Sequence, residues 1–90
     1  MKNKTVITVV GKDTVGIIAK VCTYLAQNRI NILDISQTIV DGYFNMMMIV
    51  DTGELTSLEK LSMDMEQIGE EIGVVIKCQN EEIFDMMHRV

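Results

Sequence analysis

Three stretches of the chain group hydrophobic residues in the way that β-strands do. Residues 5–10 are all valine, isoleucine or threonine, which favours a buried strand because branched side chains pack well on a pleated surface. Residues 32–40 and Tyr43–Asp51 flank the pair Asp41-Gly42. A two-residue type I′ turn favours such a pair because both of its positions need a positive φ. The pattern predicts one strand followed later by a hairpin.

The hairpin turn also predicts a pairing register. If Val40 pairs with Tyr43, the numbers of opposite residues sum to 83, and one face collects almost entirely apolar side chains. That face carries Leu33, Ile35, Gln37, Ile39, Phe44, Met46, Met48 and Val50. The other face is mixed and carries Ile32, Asp34, Ser36, Thr38, Val40, Tyr43, Asn45, Met47, Ile49 and Asp51. We therefore expect the first face to be covered and the second to meet water.

Two segments show helical periodicity. Residues 15–28 place apolar side chains three and four positions apart, and Asp13 or Thr14 is the expected cap. Residues 57–72 form the second segment. It begins within Thr56-Ser57-Leu58-Glu59, which has the form of a capping box, and it ends before Gly73. The apolar stripes consist of Ile17, Ile18, Val21, Cys22 and Leu25 in the first segment and of Leu58, Leu61, Met65, Ile68 and Ile72 in the second.

Residues 74–79 complete the set as a fourth strand. The order β-α-β-β-α-β predicts an α+β, ferredoxin-like sandwich, in which a four-stranded antiparallel sheet carries two helices on one face. We expect one domain over residues 1–90, with its core at about 4–79. Residues 80–90 are predicted to form a short C-terminal helix, because Asn80 and two glutamates precede apolar residues at helical spacing.

Composition narrows the class of protein. The net charge is −5 and the lysines are scattered, so nucleic acid is not an expected partner. No apolar run approaches the roughly 18 residues that span a membrane, and no signal peptide is recognisable, so we expect a soluble, cytoplasmic protein. Cys22 and Cys78 lack the spacing of a metal or disulfide motif and are interpreted as core residues in a reducing compartment.

Catalytic groupings are scarce. His88 is the only histidine, and a general base needs a positioned partner. We therefore predict no catalytic residue, no metal site, no cofactor and no enzymatic activity. The informative segment is the glycine-punctuated stretch from Gly11 to Ala19, where a strand ends and a helix begins. The free amides at a helix N-terminus attract anions such as a carboxylate.

That segment resembles a known family. The stretch GKDTVGIIAKVCTYLAQNRINILDISQTIVDGYFNMMMIV is similar to ACT domains in its G-x-D-x-x-G-I-[IL]-A loop, its Asn31-Ile32 strand start and its hairpin, and it looks closest to small stand-alone ACT proteins. The resemblance covers about residues 4–79. Val15 departs from the pattern, since many members carry proline there, and this loosens the expected rigidity of the loop.

The resemblance implies a regulatory module that holds a free amino acid at a subunit interface and modulates a metabolic enzyme or regulator. It implies that Asp13 accepts hydrogen bonds from the ligand ammonium, that amides near Gly16 and Ile17 hold the carboxylate, and that Asn31 contacts either group. The alternative is that these residues have structural roles only, in which Asp13 caps the helix and Asn31 turns the chain. The expected ligand-binding residues are Gly11, Asp13, Thr14, Gly16 and Ile17 on one side and Asn31 and Ile32 on the other.

A homodimer is expected on physical grounds as well. In this strand order residues 32–40 form an edge strand that carries no lysine or proline, and only Asp34 is charged. Two alternatives remain open. One is a protein-interaction subunit that binds no ligand and docks through Ile32, Met47 and Ile49. The other is an acylphosphatase-like hydrolase, which would have to use Lys12 in place of the arginine of that family.

Overall fold

The computed structural model describes residues 4–12, 15–53 and 57–80. Its four strands pair antiparallel into one sheet with the order β2-β3-β1-β4, and the described part of the chain contains two helices. The predicted ferredoxin-like fold is thereby confirmed. The elements are β1 (Lys4–Lys12), α1 (Ile17–Gln27), β2 (Asn31–Val40), β3 (Tyr43–Asp51), α2 (Leu58–Ile72) and β4 (Val74–Asn80).

The helices and one face of the sheet enclose a single core. Its side chains come from β1, β3 and β4 below and from both helices above. They are aliphatic residues, methionines and one phenylalanine, which fill the space between the two layers. The largest fully buried side chains are Ile7, Leu25, Met48, Leu61, Met65, Val9, Val21 and Val50.

The first helix begins later than the sequence predicts. β1 continues through Gly11 to Lys12, α1 begins at Ile17, and its N-cap is Gly16. The expected cap by Asp13 or Thr14 is therefore wrong, since neither residue occupies the N-cap position. Gly16 adopts φ 95° and ψ −1°, a left-handed conformation that glycine reaches at little cost. The turn into the helix is therefore made at this glycine.

The second helix also begins one residue later than its predicted capping box. Ser57 is the N-cap, and its hydroxyl accepts a hydrogen bond from the Lys60 N–H at 3.1 Å. At the other end Gly73 adopts φ 79°, and its N–H bonds the Gly69 carbonyl at 2.8 Å. Asn80 was the expected start of a C-terminal helix but instead ends β4, and the rest of that predicted helix lies outside the described residues.

The predicted hairpin is confirmed over most of its length. Asp41 and Gly42 both have positive φ values, 54° and 81°, and the predicted register holds from Val40–Tyr43 to Asp34–Ile49. Beyond that pair the prediction is wrong.

The register changes because β2 contains a bulge. Ile32, and not Leu33, lies opposite Val50. One extra residue in a strand moves every following side chain to the other face. Ile32 therefore leaves the mixed face, where it was expected, and packs against the core.

The expectation that one whole face of the hairpin is covered is also wrong. On β3 that face is buried, but on β2 Ile35 is 44% and Ile39 is 59% exposed. The core side chains come from β3, β1 and β4 together with the two helices, while β2 adds only the partly buried Ile32. The edge strand β2 therefore keeps most of its apolar side chains in contact with solvent.

Candidate functional site

Part of the predicted ligand site converges at one end of the sheet. Gly11 lies near the end of β1 opposite Phe44, and Gly16 and Ile17 begin the helix that follows. Asp13 and Thr14 lie outside the described residues. This strand end, the turn at Gly16 and the first turn of α1 form the loop region of the site.

The two glycines of the loop region have different physical reasons to be glycine. A Cβ on Gly11 would come within 2.6 Å of Val74 Cγ1, so Gly11 permits the close approach of β4. Gly16 has no atom within 4 Å of such a Cβ, and only its positive φ requires glycine. The space around Gly16 is therefore open to a ligand, whereas Gly11 serves the packing of the sheet.

The N-terminus of α1 offers unpaired hydrogen-bond donors. The N-cap Gly16 has no side chain that could cap this helix, and the first turn carries no acidic residue, while the N–H of Lys20 bonds the Gly16 carbonyl at 2.9 Å. In an α-helix the amides that precede the first such bond have no partner within the helix. Because these amides carry the positive end of the helix dipole, the arrangement suits a carboxylate.

The side chain of Ile17 does not face this space. It is 2% exposed and belongs to the core. Its contribution to a ligand site is therefore limited to its backbone amide. Beside it, Val15 is fully exposed and Ile18 is partly exposed. These two apolar side chains flank the amides.

The other predicted half of the site lies far away within the same chain. Asn31 is exposed and pairs with Asp51, whereas Ile32 pairs with Val50. Gly11 pairs with Phe44, and the six residue steps along β3 from Phe44 to Val50 correspond to about 20 Å. One chain therefore does not bring the two halves together.

A polar contact between the helices escaped the sequence interpretation. The Tyr24 hydroxyl donates to Asp64 Oδ2 at 2.6 Å, and Lys60 Nζ donates to the same oxygen at 2.7 Å. Burial and the Asp64 contact raise the pKa of Tyr24, while the Lys60 hydrogen bond, followed by the one from Tyr24, lowers the pKa of Asp64. The spacing of Lys60 and Asp64 is typical of a helical ion pair, but the sequence carries no signal for Tyr24.

This contact joins α1 to α2 beside an open groove of about 540 Å³, lined in part by Thr23, Gln27 and Ile68. Both polar groups of the Tyr24–Asp64 pair are engaged with each other. The arrangement therefore holds the helices together and leaves neither group poised for proton transfer.

The other reactive groups of residues 4–12, 15–53 and 57–80 do not assemble into a site. Cys22 and Cys78 are both free thiols and partly buried, and burial raises the pKa of the Cys78 thiol from 9.0 to about 11. Among the described residues, no three histidine, cysteine, aspartate or glutamate side chains group together to hold a metal ion. None of the helices in the described ranges is long and apolar enough to cross a membrane.

Comparison with known families agrees with the geometry of the loop region. The sequence profile of the ACT domain matches residues 3–79. The chain belongs to the ACT domain family. A UPF0237 protein of Bifidobacterium longum is 61% identical to this ACT domain protein over 89 residues, which cover 98% of this chain and 99% of that protein.

Solved structures support the same assignment. An ACT domain protein from Streptococcus pneumoniae superposes with a TM-score of 0.84 at 42% identity, over 93% of this chain and 96% of that one. The regulatory subunit of aspartate kinase from Thermus thermophilus superposes with a TM-score of 0.67 at 26% identity, over 88% of this chain and 52% of that one. The resemblance inferred from the sequence to a small stand-alone ACT domain protein is thereby confirmed.

Proposed function

We propose that this ACT domain protein is a regulatory, non-enzymatic sensor that binds a free amino acid between two copies of the chain. The observation that carries the proposal is the N-terminus of α1, which follows the ACT loop without a side-chain cap. Its amides would hold the ligand carboxylate, and Asp13 would accept hydrogen bonds from the ligand ammonium. Gly11, Thr14, Gly16 and the Ile17 amide complete this half of the site.

The second half would come from the partner chain. Asn31 and Ile32 lie about 20 Å from the loop region of their own chain, six residues along β3. A two-fold axis at the β2 edge reverses the partner strand and carries its Asn31 toward the loop region of the first chain. In this arrangement Asn31 contacts the ligand, and Ile32 contributes its backbone.

The edge strand supports the dimer independently. All of its residues except the partly buried Ile32 are exposed, and between residues 32 and 40 it carries no lysine or proline. Such an unguarded edge favours pairing with another strand. Ligand bound across the seam would stabilise the assembled form by about 2.7 kcal/mol at a hundredfold excess over Kd. That shift would be transmitted to a metabolic enzyme or regulator in the cytoplasm, where both thiols remain reduced.

The test is a thermal-shift series with each of the twenty amino acids at millimolar concentration, with the oligomeric state followed by light scattering. We expect a selective rise of a few degrees for one amino acid, lost in Asp13→Ala and in Asn31→Ala. Glu66→Ala and Asn45→Ala are matched controls outside the site, and they should keep the response. A dimer that responds to no amino acid would contradict ligand binding, and a monomer would contradict the interface.

A second candidate is a protein-interaction subunit that binds no ligand. Of its three proposed docking residues, Met47 is 42% exposed, but Ile32 packs against the core and Ile49 is half-buried. Exposure of Met47, together with Val10 and Val75 on the helix-free face, is what favours it. No observation favours the acylphosphatase-like alternative. That family needs an arginine at the loop before the first helix, but Lys12 is the basic residue there, and the nearest arginine, Arg29, lies beyond the opposite end of α1.

A further inference from the structure

The free edge of β2 presents backbone groups at alternate residues. A two-residue turn joins the carbonyl of its first residue to the N–H of its fourth, so Val40 directs its polar groups toward β3. These directions alternate along a strand, which leaves the groups of Ile35, Gln37 and Ile39 facing outward. The N–H of Ile35 indeed donates to the Asp34 carboxylate at 2.9 Å and is not engaged by β3.

The usable length of this edge is limited at both ends. The bulge at Leu33 interrupts the strand on one side, and the turn at Asp41 ends it on the other. Regular strand geometry is therefore restricted to residues 34–40. The residue in the middle of this stretch is Gln37.

Symmetry restricts how two such edges pair. A two-fold axis perpendicular to the sheet keeps the helices of both copies on the same side. Residues of the helix-covered face then lie opposite residues of that same face, so the numbers of paired residues have an even sum. One residue must consequently lie on the axis, opposite its own copy.

Hydrogen bonding selects that residue. If Gln37 lies on the axis, three hydrogen-bonded residue pairs form between the two β2 strands, at Ile35, Gln37 and Ile39. Each pair exchanges two N–H···O bonds, which gives about six in total. With the axis at Ser36 or Thr38, only two pairs fall between the bulge and the turn, and about four bonds remain.

The side chains agree with the same register. Ile35 lies opposite the partner's Ile39, and both are substantially exposed in the single chain. On the other face Ser36 lies opposite the partner's Thr38, a hydroxyl pair of the kind that stabilises neighbouring strands. Asp34 lies opposite the partner's Val40, which keeps the two carboxylates about 20 Å apart.

We infer that two copies of this chain pair through β2 in the antiparallel register that places Gln37 opposite the partner's Gln37. This inference rests on the proposed dimer and adds its residue-level geometry. The two Gln37 amides hydrogen-bond at the axis, between two Ile35–Ile39 pairs. On assembly the Ile35 N–H exchanges the Asp34 carboxylate for a carbonyl of the partner.

Disulfide trapping tests the register. In a background with Cys22→Ser and Cys78→Ser, Gln37→Cys should form a covalent dimer under mild oxidation, since Cα atoms of a hydrogen-bonded pair lie about 5.5 Å apart. Ser36→Cys and Thr38→Cys should each stay uncrosslinked alone, because their copies lie on diagonals of about 7–8 Å. Mixing these two proteins should produce the mixed disulfide.

Each outcome separates the register from the dimer. Light scattering of the reduced proteins reports assembly, and circular dichroism confirms that every variant is folded. A monomeric wild-type chain would overturn both the proposed dimer and this register. A stable dimer in which Ser36→Cys or Thr38→Cys crosslinks alone, or in which Gln37→Cys fails to crosslink, would overturn the register only.

A charge on the axis provides a second readout. Gln37→Lys places two like charges opposite each other and should raise the dimer dissociation constant about tenfold or more. Asn45→Lys, on the neighbouring strand and the opposite face, serves as the control and should leave the constant within about twofold. Equal effects of the two substitutions would contradict the placement of Gln37 on the axis.

Discussion

The first half of this chain (β1, α1 and β2) and the second half (β3, α2 and β4) share the β-α-β topology. They differ in how completely their helix ends are capped and their strands are covered. In the second half, the Ser57 hydroxyl caps α2, Gly73 closes it, and α2 packs along β4. In the first half, α1 begins at Gly16 without a side-chain cap, and β2 exposes nearly all of its residues. The helix N-terminus without a side-chain cap and the exposed edge strand thus lie in the same half, although apolar side chains of the second half, such as Met63 and Val75, are exposed as well.

The contact between α2 and β4 shows how closed the second half is. A Cβ on Gly69 would come within 2.6 Å of the Val74 carbonyl oxygen, so the helix lies directly against the start of the strand. The difference teaches that both halves build the core, but only the first half leaves a helix N-terminus without a side-chain cap and an edge strand with nearly all of its residues exposed. The following substitutions test this division.

Truncation of the core should have the largest effect. Leu61 is fully buried on α2, so Leu61→Ala should lower the free energy of unfolding by about 2–5 kcal/mol. Ile39→Ala on β2 removes a side chain that is 59% exposed and should cost about 0.5 kcal/mol or less in dilute protein. Urea unfolding at low and high protein concentration measures both. A larger loss for Ile39→Ala in the dilute sample would contradict the division.

Alkaline pH should lower the free energy of unfolding through ionisation of Cys78 on β4. Burial raises the pKa of this thiol from 9.0 to about 11, so the unfolded chain releases the proton at lower pH than the folded chain does. Stability should therefore be unaffected below pH 9 and should fall by about 2 kcal/mol as the pH rises from 9 to 11. Tyr24, whose pKa is also raised, acts in the same direction.

Chemical unfolding across this pH range measures the effect. Cys78→Ala should reduce the fall, because the group that titrates is absent. Cys22→Ala retains Cys78 and is the matched control. An equal fall in both variants would show that Cys78 does not cause it.

Removal of the α2 cap should have a smaller effect than core truncation or the titration of Cys78. Ser57→Ala deletes the hydroxyl that accepts from Lys60 and should cost about 1 kcal/mol. Ser57→Asp keeps an acceptor at the N-cap and should retain most of the stability. Thermal melts with and without the ligand identified in the amino-acid series should show an unchanged ligand-induced shift in both variants. Loss of that shift would mean that α2 takes part in binding.

Local patterns explain why so much of the fold was predictable. The Asp41-Gly42 turn and the span of α2 depend on neighbouring residues, and both were predicted to within one residue, although Leu58 of the predicted apolar stripe is exposed. The bulge at Leu33 goes together with the packing of Ile32, and not Leu33, against the core. That choice depends on tertiary contacts and is not visible in the local pattern. Likewise, exposure of Ile39 depends on where the helices lie across the sheet.

The loop region was predictable in the order of its residues but not in its geometry. The glycines of the loop region were recognised from their order, yet the position of the N-cap depends on how far β1 extends. That β1 continues to Lys12 follows from its pairing with Tyr43, a contact between distant parts of the chain. The inward orientation of Ile17 likewise reflects tertiary packing.

The separation of the loop region from the start of β2 has a consequence for how such a protein reads its surroundings. A pocket completed by a second copy responds to two concentrations at once, that of the ligand and that of the chain itself. By linkage, each raises the apparent affinity for the other. In the proposed dimer the threshold of the response would therefore be adjustable through the expression level alone, without any change in the residues that touch the ligand.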